Sequence, residues 1–116
     1  MKHLNSKGHT KWLTAGYCWG AWVAFYLASI YDNFIAIAAM HPSFQCEQFY
    51  GGKEEDLAKK IKCPAYLYAA GNDHDNVKTN GAITKILLER FKDKAGVSEF
   101  PKQKHGWMVR SDPNDA

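Results

Sequence analysis

The 116-residue chain reads as an α/β protein built on a parallel sheet of about four strands joined by crossover helices. Three observations predict this. Short continuous apolar runs recur at 12–17, 34–40 and 65–70, each closed by turn-forming residues. Segments with helical character separate them, and parallel neighbours need such crossovers. Between Trp12 and Cys46 the only formally charged side chain is Asp32, so the first third of the chain reads as buried interior.

The first strand is Trp12-Leu13-Thr14-Ala15-Gly16-Tyr17, closed by a glycine and followed at once by helix formers. From Trp19 to Tyr31 apolar residues cover every face, which predicts a helix buried nearly all round. Phe34 to Met40 is the second strand, expected to be covered on both faces and ended by His41-Pro42-Ser43. Glu54-Glu55-Asp56 open a short helix running to about Ile61, where negative charge suits the positive helix end, and Cys63-Pro64 stops it. Ala65 to Ala70 is the third strand, and Gly71-Asn72-Asp73-His74-Asp75-Asn76 is a dense turn cluster. Ile83, Ile86, Leu87 and Phe91 fall at helical spacing, with Asn80 as the expected N-cap and Gly96 as the stop. Val97 to Phe100 makes the fourth strand.

Length sets the chain at one domain, residues 1–116. Its 46% hydrophobic and 23% charged residues are those of a globular protein. The net charge of +3 is spread without a basic run that could track a phosphate backbone, which argues against nucleic acid as a partner. No apolar stretch reaches the roughly 18–20 residues of a membrane helix, and the N-terminus lacks the apolar region of a signal peptide, so a cytoplasmic location is expected. Cys18, Cys46 and Cys63 are an odd set without zinc-type spacing, so reduced thiols are expected.

The chemistry concentrates at Gly16-Tyr17-Cys18-Trp19-Gly20. A Gly-x-nucleophile-x-Gly turn holds its central side chain on a strained bend between strand and helix, and bulk at either glycine is expected to clash. The helix beginning there favours a thiolate with its positive end and aims the Trp19 backbone N–H at a developing oxyanion. The other two cysteines lack such a setting. A thiol nucleophile needs a base, and the base an orienting acid. His105, in Lys104-His105-Gly106-Trp107, follows the fourth strand, and Asp73 or Asp75 follows the third. Nucleophile, acid, histidine is the chain order this topology uses. His41 and His74 have no partner at metal spacing and read as turn or structural residues; neither metal nor cofactor is implied.

These residues resemble the dienelactone hydrolase family, cysteine α/β-hydrolases. The resemblance rests on Gly16 to Trp22, His41-Pro42-Ser43, Gly71-Asn72-Asp73-His74 and His105-Gly106-Trp107, and spans about residues 1–112. It implies a triad of Cys18, His105 and Asp73 hydrolysing a small lactone or ester through an acyl-thiol intermediate, with Asp73 favoured as the acid. It also implies an arginine after the histidine to hold a substrate carboxylate, for which Arg110 is the nearest candidate. Class I glutamine amidotransferases share the cysteine elbow but place their histidine in a His-Pro-Glu context, which His105 does not have.

Family members carry about four further strands before the nucleophile strand, with a second oxyanion N–H and an acid that partners the resting thiol, and a helix after the histidine loop. The resemblance therefore implies a truncated α/β-hydrolase fold in which residues 1–11 end a preceding helix. It leaves residues 12–17 as an apolar edge open to self-association. The alternative it raises is a catalytically inactive remnant or interaction module of the same fold.

Overall fold

The computed structural model describes residue 8 and residues 10–110. Four strands, β1 (Trp12–Tyr17), β2 (Phe34–Met40), β3 (Ala65–Ala70) and β4 (Gly96–Phe100), form one sheet in the order β1-β2-β3-β4, every pair parallel. Helix α1 (Trp19–Ile30) joins the first pair, the one-turn α2 (Cys46–Phe49) and α3 (Glu54–Lys60) the second, and α4 (Ala82–Phe91) the third; a short α5 (Trp107–Arg110) follows β4. The preceding helix expected at residues 1–11 falls largely outside the described residues.

Consecutive parallel strands laid down in one direction, each with a right-handed crossover, put every crossover on the same face of the sheet. That is the arrangement here: α1 packs on β1 and β2 and touches α3, which touches α4. The core lies between this helix layer and the sheet. Ala21, Phe25 and Ala28 of α1 meet Ile37, Ala39, Leu67 and Ala69 of the strands, with Leu57, Ile83 and Leu87 from the other helices. Phe25 stacks obliquely on Phe44 at 4.3 Å between centroids.

The one-sided layer corrects two expectations. Helix α1 is not buried all round: Trp19, Tyr26 and Ile30 lie along an exposed stripe, because α1 ends the helix layer and among the described residues nothing packs beyond it. Nor is β2 covered on both faces. Ile35 is half exposed, and Leu13 of β1 and Tyr66 of β3 are also exposed, since no crossover lies on the second face. Leu13 is 74% exposed on β1, which is an edge strand among the described residues.

Helix α4 also departs in detail at both ends. Its N-cap is Gly81, without a side-chain cap, rather than Asn80. A Cβ on Gly81 would stand 2.2 Å from the carbonyl oxygens of Asp75 and Asn76, so the backbone crosses too closely there for a larger residue. The helix stops at Phe91, where Lys92 turns to φ 55, and Gly96 instead begins β4. Its lack of a side chain leaves room for the Tyr66 ring, which a Cβ would meet at 2.6 Å.

Candidate active site

The carboxyl ends of the four strands deliver the polar residues to one edge of the sheet, where ligands bind in open α/β sheets. Cys18 follows β1, His41 and Ser43 follow β2, Asp73 follows β3 and His105 follows β4. Backbone bonds tie these ends together: Cys18 N–H donates to the Met40 carbonyl and Ser43 N–H to the Cys18 carbonyl, both at 3.1 Å.

Cys18 has φ 54 and ψ −119, a conformation sterically costly for a residue with a side chain. The turn is tight enough that a Cβ on Gly16 would stand 2.3 Å from the Gly20 carbonyl oxygen, which makes Gly16 obligatory. Gly20 is different: a Cβ there meets nothing within 4 Å, so the expectation of a clash at both flanks holds only at Gly16. Trp19 is the first residue of α1, so its N–H lies outside the helix's own i→i−4 ladder beside the Cys18 side chain.

Of the two acids in the β3 loop, Asp73 is the one bonded to His105. Its Oδ1 lies 2.6 Å from His105 Nδ1, and its Oδ2 accepts the Ala70 N–H at 2.7 Å, with the side chain almost wholly buried. Asp75 points to solvent and pairs with Lys78 at 3.4 Å. His74 is exposed and precedes a 3₁₀ turn over Asp75–Val77. Asn72, which the sequence did not single out, accepts the His105 backbone N–H at 2.6 Å and sets the height of the β4 loop.

The sulfur of Cys18 has three polar neighbours. Nδ1 of His41 is 3.1 Å away, an Arg110 guanidinium N–H donates to it at 3.8 Å, and its distance to a ring nitrogen of His105 is within 4.8 Å. His105 Nε2 is meanwhile 3.2 Å from Ser43 Oγ. Arg110 reaches the site by folding back over Gly106, where φ is +89 and a Cβ would fall 2.4 Å from the guanidinium. An open cavity of about 320 Å³ lies beside His105, walled by Lys102, Lys104, Trp107 and Arg110, so its rim is cationic.

His41 is more than a turn residue. It has no exposed surface, its backbone sits at φ 34, and its ring meets that of His105 edge-on at 5.3 Å. Burial, and then the nearby His105, hold its pKa below the ordinary histidine value, so the ring favours the neutral form. Burial pushes the Cys46 and Cys63 thiols up instead, as befits packing residues. Cys18, His41 and His105 are 23 and 64 positions apart in sequence, and their donor atoms all lie within 4.8 Å of one another. No local spacing could have announced that group.

Among known proteins, the family model described as the dienelactone hydrolase family matches residues 1–116. The fold is also similar to the crystal structure of a protein assigned as a dienelactone hydrolase from Klebsiella pneumoniae subsp. pneumoniae MGH 78578, at 17% identity with a TM-score of 0.57. That alignment covers 82% of this chain and 40% of the other, so the match spans less than half the length of its structural neighbour. None of the curated proteins matches the chain.

Proposed function

The chain belongs to the dienelactone hydrolase family, and from that premise we propose that it hydrolyses a small carboxylic ester or lactone through a triad of Cys18, His105 and Asp73. The observation that carries the reading is the 2.6 Å contact of Asp73 with His105 at the same strand-end edge as Cys18. Asp73 holds Nδ1 of the imidazole and leaves Nε2 to exchange a proton with the thiol.

In this reading Cys18 Sγ gives its proton to His105 Nε2 and attacks the acyl carbon. The oxyanion forms against the Trp19 N–H. Collapse breaks the acyl–oxygen bond, and His105 returns the proton to the departing alkoxide. Water, deprotonated by His105, then cleaves the acyl-thiol and restores the Cys18 thiol. Because Sγ rests against His41 and His105 Nε2 against Ser43, the cycle begins with rotation of the Cys18 side chain toward His105. Arg110 and the lysines of the neighbouring cavity favour a substrate bearing a carboxylate.

Two further proposals accompany this one. All three cysteines are free, which suits a reducing compartment such as the cytoplasm, and among the described residues no helix is long and apolar enough to cross a membrane. The exposed edge at β1 favours pairing of the chain with another copy. Among the described residues Leu13, Ile35 and Tyr66 are exposed on the second sheet face, which favours the alternative of a non-catalytic interaction module.

The deciding experiment is hydrolysis of an activated aryl ester by the chain and by Cys18→Ala, with the acyl-thiol sought by mass spectrometry after rapid acid quench. Turnover and an acyl adduct that both vanish in Cys18→Ala are expected. Equal rates for the two proteins, or no rate above background for either, would give the interaction-module reading the advantage.

A further inference from the structure

We infer that Cys18, His41 and His105 form a binding site for a thiophilic divalent cation such as zinc, with a fourth position left to water. The inference needs only the donor set and stands whether or not the chain turns over an ester. Thiolate and imidazole are the ligands that borderline-soft ions select. One soft sulfur and two imidazoles with an open position is the composition of a three-ligand zinc site.

The geometry suits it. Tetrahedral zinc, with metal–sulfur bonds of about 2.3 Å and metal–nitrogen bonds of about 2.0–2.1 Å, places its ligand atoms ~3.3–3.6 Å apart. Here Sγ and the His41 Nδ1 are 3.1 Å apart, and all three donors fall within 4.8 Å. Side-chain rotations alone close that difference, since the strand ends that carry the three residues are already bonded to one another.

Two features beyond the donors point the same way. His105 presents Nε2 because Asp73 holds Nδ1 at 2.6 Å, and carboxylate–histidine pairs of this kind orient metal-ligating imidazoles. His41 is wholly buried, and its Nε2 has no hydrogen-bond partner among the described residues. Burial fixes the ring with Nδ1 turned to the Cys18 sulfur at 3.1 Å, the side on which the cation would sit, and Nε2 takes no part in the site. Binding breaks the Cys18 S–H bond, forms the sulfur–metal bond and releases one proton to solvent. The opposing element is Arg110, whose guanidinium donates to the same sulfur; it is exposed and must swing away when the cation enters.

Cobalt(II) titration of the whole chain, with a non-thiol reductant present, tests the site. One equivalent should produce a thiolate-to-cobalt charge-transfer band and the visible bands of a tetrahedral ion, and zinc should bleach both. Cys18→Ser should abolish the charge-transfer band, and Asp73→Asn, which leaves all three ligands in place, should weaken binding by about 10–100-fold. Arg110→Gln should tighten it. For independence from the folding of variants, the unaltered chain is alkylated with and without saturating zinc and its cysteines are read by peptide mass spectrometry. Zinc should protect Cys18 and leave Cys46 and Cys63 as they were. Unchanged Cys18 alkylation under saturating zinc, or a charge-transfer band that survives Cys18→Ser, would overturn the inference.

Discussion

Asp73 and His105, 32 residues apart, share a 2.6 Å contact between Oδ1 and Nδ1, while the second Oδ of Asp73 is held by the Ala70 N–H. Both carboxylate oxygens are thus committed, one to the imidazole and one to the strand end. Asp73→Asn should lower ester turnover by about three to four orders of magnitude, because an amide in that place selects the wrong imidazole tautomer. Asp75→Asn, on a solvated side chain, should leave turnover within about twofold, since surface substitutions away from special features cost little. Initial rates of the two variants, each compared at matched folded concentration, separate the acids; a larger loss at Asp75 would reverse the assignment.

His41 gives the fold a pH dependence of known sign. Its folded pKa is lowered, first by burial and then by His105, so the unfolded chain binds the proton more readily than the folded one. The stability this neutral ring contributes is fully present above the unfolded value of about 6.5 and is lost as pH falls from there toward the folded value. The slope cannot exceed one proton, about 1.4 kcal/mol per pH unit. Urea midpoints from pH 7.5 to 5 should fall more steeply for the unaltered chain than for His41→Gln. Parallel curves would show that His41 does not titrate differently on unfolding.

The two glycines of the nucleophile turn should behave in opposite ways. Gly16→Ala drives a methyl into the Gly20 carbonyl and should destabilise the chain by about 1–3 kcal/mol, as overpacking does. Gly20→Ala meets open space inside a helix and should stabilise by about 0.4–1 kcal/mol through the unfolded state. Thermal or urea denaturation of the pair reads the difference directly, and equal destabilisation would contradict the geometry.

Arg110 should discriminate by substrate charge. Arg110→Gln is expected to raise KM about tenfold for an ester bearing a carboxylate, the loss of one charge-assisted hydrogen bond, and to leave a neutral ester within about twofold. Gly106→Ala should reproduce the selective loss, since its methyl would occupy the place of the guanidinium. A uniform rise in KM for both esters would mean that Arg110 does not read charge.

Edge pairing can be tested at Leu13, which is 74% exposed. Leu13→Lys puts a charge on the open strand and should lower the light-scattering mass at high protein concentration, because charged edges resist strand addition. An unchanged mass would place any association elsewhere.

Much of this was legible in the chain itself. Residues 12–17, 34–40 and 65–70 are strands with the bounds their apolar runs suggest, and β4 differs by the single residue Gly96. Gly16 and Cys18 mark the turn because the backbone there imposes a local constraint that only particular residues meet. Local periodicity and turn chemistry act over a few residues, so a linear reading recovers them.

Other features depended on what folding brought near. Turn chemistry alone treats Asp73 and Asp75 alike and the family resemblance favours Asp73; the contact itself depends on the β4 loop, held by Asn72, which brings His105 to Asp73. The stripe of Trp19, Tyr26 and Ile30 reads as buried, yet the one-handed series of crossovers leaves it at the end of the helix layer. His41 reads as a turn histidine, since its offset of 23 positions from Cys18 carries no spacing signal. The sequence by itself determined the strands, their succession along the chain and the nucleophile turn; the tertiary structure decided the order of the sheet and the partners of Cys18 and His105, because those contacts join the ends of separate strands whose meeting is set by sheet register and crossover hand rather than by neighbours along the chain.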